Sequence, residues 1–230
     1  MSRIYKNCVE AVNEIERDIM EMGIKVHPKS MQNKDVSDDD NFSTMEVQNY
    51  SFTILNANDK DEIVGACLDW CIAEFVERMN RNSLNPGNAY KLRGNVWEQF
   101  LTDGEFCYTY SERLHYANQF AQVIEELKRN PDSRQAIIHV HFPEDVDRLG
   151  GKKRMPCSMY YQLMVRRDRL DIIYNMRSSD YATHFKNDIW QACALRDYIA
   201  EELNINPGMF HMNVGSLHIY KGYGDHKHVF

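Results

Sequence analysis

The sequence has no CxxC pair, no apolar run long enough to span a bilayer, no internal repeat and no excess of positive charge. Its six cysteines, Cys8, Cys67, Cys71, Cys107, Cys157 and Cys193, are scattered, which argues against a zinc ribbon. The N-terminal stretch MSRIYKNCVEAVNEIERDI is charged and amphipathic and lacks the apolar centre of a signal peptide. With no secretory signal, the cysteines read as reduced thiols of a cytoplasmic protein, most of them small buried apolar residues. A formal net charge of -7 argues against a general nucleic-acid-binding surface. Local basic clusters suit a small phosphate better than a polymer.

What is present suits a single domain over residues 1–230, long enough to bury a sizeable core. The pattern predicts a helix over 3–22 and a polar, irregular surface loop or disordered segment over 24–48. A strand follows at 47–55, then a long helix over 59–81 with Ile63, Cys67, Trp70, Cys71 and Phe75 at helical spacing. SLNPGN breaks that helix. A further helix is expected over 111–129, with Leu114, Phe120, Ala121, Ile124 and Leu127 inward. Strands are expected at 136–142, 158–165 and 170–175, the last two joined by the tight turn RRDR. A helix over 187–203 and a strand over 210–220 complete an α+β domain.

Cys157, in RMPCSMYYQ, stands after a proline at the start of an apolar strand, with Arg154 three residues earlier. A thiolate nucleophile needs such positive charge nearby, although a cysteine chosen blindly is more often structural. Around it lie NPDSR (130–134), MRSSD (176–180), FKND (185–188) and NVGSLHIY (213–220), with Gln162 five residues after Cys157. In this order, over roughly half the chain, these motifs resemble the thymidylate synthase superfamily. The NMRS, FxND and NVGSLHxY wording is most similar to its phage deoxycytidylate hydroxymethylase branch, whose members make modified cytosine for DNA.

The resemblance implies a thymidylate-synthase-like mixed β-sheet flanked by helices. It also implies a homodimer and a one-carbon transfer from 5,10-methylenetetrahydrofolate to carbon 5 of a pyrimidine nucleoside monophosphate. Cys157 matches the nucleophile that adds to carbon 6, splitting one hard substitution into easier steps. Arg177 and Ser178 match the phosphate-binding pair, and Arg134 matches an arginine that reaches the phosphate from the partner subunit. The family's usual second arginine is Gln135 here, and Lys29, followed by Ser30, stands near the family's N-terminal arginine. His218 and Tyr220 match the pair on the sugar 3'-hydroxyl, and their i, i+2 spacing puts both on one strand face. Gln162 matches a glutamine near the base, Asp180 an aspartate on the pterin, and Trp97 a folate-stacking aromatic.

Asp188 stands where thymidylate synthases carry an asparagine that reads uracil. A carboxylate accepts from cytosine's exocyclic amine and repels uracil's carbonyl oxygen, so cytosine is the expected base. Asp188 would also serve as a helix N-cap. The family's proton-relay glutamate has no counterpart in CLDWC. Glu74, about two turns beyond Cys67, is the candidate, with Glu77 as competitor. His184 replaces a common glycine near the folate and crowds that side. The sequence ends shortly after Tyr220, and an open site would favour water as final nucleophile, hence hydroxymethylation of dCMP. Methylation of dCMP, either chemistry on dUMP or CMP, a folate-independent variant and a catalytically silent nucleotide-binding homologue all remain open on these residues.

Overall fold

The first helix begins where Asn7 caps it. Asn7 is extended and its side-chain oxygen accepts from the Glu10 amide at 2.9 Å, so α1 spans Cys8–Met22. The computed structural model describes residues 3–82, 84–150 and 153–222. Cys8, Ala11, Val12, Ile15 and Ile19 recur at helical spacing and are buried. The residues before the cap, expected as the helix's first turn, form β1 (Arg3–Tyr5) because they pair in parallel with residues 52–54. The polar 24–48 segment carries β2 (Ile24–Val26) and the small hairpin of β3 (Ser30–Met31) and β4 (Lys34–Asp35). The long strand β5 (Thr44–Ile54) begins inside that segment rather than at Val47.

Two expected helices are interrupted. Gly65, at φ +85, breaks the 59–81 pattern, so α2 spans only Leu68–Met79. The short α3 (Gly94–Trp97) follows. In the next helix a Thr109–Glu112 capping box starts α4 (Tyr110–His115). Ala117 and Asn118, at φ 48 and 59, then kink the chain before α5 (Gln119–Arg129). The kink resets the buried face to Phe120, Val123, Ile124 and Leu127, and leaves Ala121 exposed, contrary to its expected inward position.

The remaining elements are β6 (Ile137–His139), β7 (Ser158–Arg166), β8 (Arg169–Asp180), α6 (Lys186–Glu202) and β9 (Asn206–Tyr220). Arg167 and Asp168, at φ 53 and 56, form the expected tight turn between β7 and β8, in the handedness that matches strand twist. The main sheet runs β1-β5-β9-β8-β7-β6, with β2 beside β5. Pairing is parallel for β1–β5 and β8–β9 and antiparallel elsewhere, so the sheet is mixed, as expected of the α+β class. Helix α6 is the crossover between the parallel strands β8 and β9. It is buried almost all round, and its Arg196 reaches the Gly208 carbonyl at 2.8 Å. Phe52 packs against Phe185 and Phe210 at ring separations of 6.0 Å, joining sheet to crossover. No helix among the described residues is long and apolar enough to cross a membrane.

One buried carboxylate ties down the approach to Cys157. Asp145 accepts from Arg113 at 2.7 and 2.8 Å and from Arg148 Nε at 2.7 Å. Arg148 in turn donates to the Arg154 and Cys107 carbonyls at 3.1 and 3.3 Å. Removing one partner of a buried ion pair strands the other charge, at a cost of about 3–5 kcal/mol. Asp145→Ala is therefore expected to lower unfolding free energy by about that amount in urea titration. A loss under about 1 kcal/mol would mean that water replaces the carboxylate.

Candidate active site

At the C-terminal ends of β8 and β9 the sheet opens into a cavity of about 480 Å³, within the range of small-ligand pockets. Its floor is set by register. Ser178 lies opposite Ser216, Asp180 opposite His218, and His218 opposite Glu46 of β5. Cross-strand partners share a face, so these side chains meet on one side of the sheet. Tyr220 follows His218 on that face, and the two rings meet edge-on at 4.9 Å. The Ser216 hydroxyl bonds Glu46 at 2.5 Å and lies 3.2 Å from His218 Nδ1.

Cys157 is half-buried on the cavity wall, just before β7. Arg177 on β8 grips the loop that carries it. Its Nε donates to the Pro156 carbonyl at 3.0 Å and its Nη2 to the Met155 carbonyl at 3.2 Å. The same Nη2 lies 3.6 Å from the sulfur. The Ser178 hydroxyl and the Gln32 side-chain amide approach the sulfur at 3.8 and 3.7 Å. One cation and two neutral donors thus face Sγ, the surroundings that a nucleophilic thiolate needs.

Asp188 lies in the first turn of α6, but Phe185 holds the cap position, so Asp188 is not the N-cap. Its carboxylate accepts from Ser179 at 2.9 Å. Burial pushes the Asp188 carboxyl up to about 6, against the opposing pull of the Ser179 hydrogen bond, Arg78 and Arg93. Burial likewise raises Asp180 and lowers His218, each partly countered by the other's charge. His184 is held neutral, its imidazole pushed down to about 3 by burial and then by Arg93 and Arg154.

The opposite wall is aromatic. Trp97 stacks on Trp70 at 5.8 Å and 18°. Guanidinium groups lie near the stack, Arg93 5.1 Å from Trp70 and Arg154 4.7 Å from Trp97. His184 packs beside Trp97 at 5.3 Å, filling space on that side as its bulk suggested. The indole N–H groups of Trp70 and Trp97 and the Arg154 Nε are buried without a partner among the described residues. A flat aromatic wall with unmatched donors, lining the same cavity as the Asp180 carboxyl, fits a polar heteroaromatic ring such as a pterin.

The structure therefore brings Cys157, Arg177, Ser178, Asp180, Asp188, His218, Tyr220 and Trp97 to one cavity. It does not bring Glu74 there. Glu74 pairs with Arg78 at 2.9 Å and lines a smaller neighbouring cavity, one turn along α2 from Trp70. Gln162 lies outside the cavity and bonds the Arg134 carbonyl at 3.0 Å, and Arg134 itself is exposed. Lys29 is exposed at the rim, between the lining residues Pro28 and Ser30. The end of the chain, at 223–230, lies outside the described residues. Sequence reasoning missed Gln32, Ser179 and Glu46. Only Ser179 carried a signal, as the second serine of MRSSD beside two expected site residues.

The thymidylate synthase family profile matches residues 69–228. The deoxycytidylate 5-hydroxymethyltransferase of Enterobacteria phage T4 is 30% identical over 221 residues, covering 90% of this chain and 86% of that protein. A thymidylate synthase of Novosphingobium aromaticivorans is 32% identical over 139 residues, 60% of this chain and 43% of its own length. Among solved structures, thymidylate synthase A of Bacillus subtilis superposes with a TM-score of 0.74 at 21% identity, covering 94% of this chain and 80% of that one. The chain belongs to the thymidylate synthase family.

The raised carboxyl of Asp188 gives a stability test. The folded value, about 6, lies above the unfolded aspartate value, so the neutral group's contribution is full below about pH 4 and is lost as pH rises through 6. Two units correspond to about 3 kcal/mol. Asp188→Asn cannot ionise, so its stability relative to the wild type should improve by about that much between pH 4 and 7. Parallel unfolding curves across this range would show that Asp188 is not held in a desolvated site.

Proposed function

We propose that this chain hydroxymethylates carbon 5 of dCMP, using 5,10-methylenetetrahydrofolate and water. Membership of the family makes it a one-carbon transferase that modifies a pyrimidine at carbon 5. The observation that carries the cytosine reading is the half-buried Asp188 carboxyl, raised by desolvation, on the wall that also holds Cys157. The named activity of the phage relatives points the same way.

The thiolate of Cys157 adds to carbon 6 of the ring while Asp188, poised near neutrality, gives a proton to the ring nitrogen N3. Its carbonyl oxygen accepts from the exocyclic amine, and Ser179 holds the carboxyl in orientation. Carbon 5 becomes nucleophilic and would take the one-carbon unit; loss of the carbon 5 proton would then release the donor's amine nitrogen and leave an exocyclic methylene on the ring. Water then adds to the exocyclic methylene and the thiolate leaves, so no redox step is needed. Arg177 and Ser178 hold the phosphate, and His218 and Tyr220 hold the sugar. Trp97 and Asp180 would hold the folate, which supplies a one-carbon unit at the oxidation level of formaldehyde. Asp188 and Asp180 are desolvated acids that line this cavity, and they take the proton-transfer role first expected of Glu74.

Tritium release from position 5 of labelled dCMP and dUMP, with and without the folate, tests this reading. Folate-dependent release from dCMP is expected, with Cys157→Ala inactive and 5-hydroxymethyl-dCMP as product. Asp188→Asn should lose dCMP turnover by about 10²-fold or more and gain on dUMP, because an amide pairs with the uracil edge. Release from dUMP by the wild type, and none from dCMP, would end the cytosine assignment.

The proposal includes a two-fold homodimer in which Arg134 serves the partner's phosphate site. Its exposure, away from its own Cys157 cavity, supports that role. Mixing inactive Cys157→Ala with inactive Arg134→Ala chains should restore activity through hybrid dimers that carry one intact site. No recovery on mixing, with subunit exchange verified, would place Arg134 outside the partner's site.

A further inference from the structure

Neither the motifs nor the mechanism above gives a role to the β3–β4 hairpin. Its two-residue tip is Gln32-Asn33, between paired Met31 and Lys34. Gln32 adopts φ 55, a left-handed conformation that favours glycine and that a glutamine occupies at a cost. The strained tip reaches across the cavity to the nucleophile loop. There the Gln32 Oε1 accepts from the Met155 amide at 3.0 Å, while its Nε2 approaches Cys157 Sγ at 3.7 Å. One planar amide thus spans both ends of the Met155-Pro156-Cys157 turn, and its two contacts fix which end of the amide faces the sulfur. At its other side the hairpin is seated on the aromatic wall, where the Lys34 ammonium bonds Gln99 and lies 5.6 Å from the Phe100 ring.

We infer that Gln32 is a positioning residue for Cys157: it holds the sulfur's loop against the hairpin and gives the sulfur anion a neutral donor that complements Arg177. The inference rests on Cys157 being the nucleophile, but not on the identity of the base or the one-carbon donor. Sγ also faces the Arg177 cation from β8, and Arg154 on its own loop and the Tyr108 phenol interact with it electrostatically. Gln32, like Ser178, is a neutral donor to the sulfur, and it comes from a segment distant in sequence. Because Ser30 of the same hairpin lines the cavity beside Lys29, a ligand that shifts the hairpin also shifts the donor on the sulfur.

The test is the pH profile of iodoacetamide alkylation at Cys157 in the full chain without ligands, followed by peptide mass so that the other cysteines do not contribute. Gln32→Met keeps side-chain length and removes the donor. Gln32→Glu keeps the shape and replaces the donor by a carboxylate. The midpoint should rise in both variants, by about one pH unit or more in Gln32→Glu, with alkylation at pH 7 slowed about tenfold. In steady-state assays Gln32→Met should lower kcat about tenfold with less than a twofold change in the KM for nucleotide. If both variants fold, as judged by unchanged thermal transitions, and keep the wild-type midpoint, the inference is wrong and Gln32 merely seats the hairpin. A Gln32→Glu midpoint no higher than that of Gln32→Met would also overturn it, since a carboxylate facing the sulfur must oppose its ionisation. Alkylation needs neither dCMP nor folate, so a failed cytosine assignment leaves this result readable.

Discussion

The parallel pairing of β8 with β9 is the constraint on which the site depends. It sets Ser178 against Ser216 and Asp180 against His218, and the next pairing brings Glu46 to His218. A one-residue slip would turn each of these side chains to the other face. The register is held by burial at the alternating positions, where Leu217 and Ile219 of β9 and Met45 of β5 are nearly inaccessible. It is held again by α6, which must cross from the end of one strand to the start of the other. The same apolar packing that stabilises the fold therefore positions polar groups on the opposite face. Arg177 then carries that order to Cys157, because it sits on β8 and grips the loop backbone on either side of Pro156.

The cavity keeps charges where water is scarce, and the chain tolerates this by pairing them loosely. Asp188 has one hydroxyl donor from Ser179, Asp180 faces His218, and Arg93 and Arg154 rest near aromatic rings. The first of these leaves the Asp188 carboxyl, at about 6, near the balance point between charged and neutral forms. That is costly for stability and useful for moving protons to and from a ring. By contrast, Asp145 is fully matched by two arginines and serves only to hold the loop in place.

Much of the fold was legible because its strands and the α6 crossover have unbroken apolar patterns. The errors fall where one residue's backbone overrides the pattern. Gly65 shortens α2, and the left-handed Ala117 and Asn118 divide α4 from α5 and turn Ala121 outward. Residues 3–5 went astray because a parallel partner some fifty residues away, at 52–54, decided their conformation. The site was legible where motifs lie on β8, α6 and β9, since strand and helix spacing fix which side chains share a face. Glu74 was misplaced because helical spacing along α2 says which side is apolar but not which cavity that side borders. Gln32 was invisible because its partner, Cys157, is 125 residues away and the segment around it has no periodicity to read.

Covalent addition of Cys157 to a cytosine nucleotide in this cavity is the step on which the proposed reaction turns. A nucleotide bearing fluorine at carbon 5 tests it directly, because the step that removes a proton from carbon 5 cannot proceed and the adduct persists. Incubation with 5-fluoro-dCMP and methylenetetrahydrofolate, followed by peptide mass analysis, should show the nucleotide and one-carbon donor joined to the peptide that contains Cys157. An adduct with 5-fluoro-dUMP but none with 5-fluoro-dCMP, or attachment at any other residue, would contradict the account.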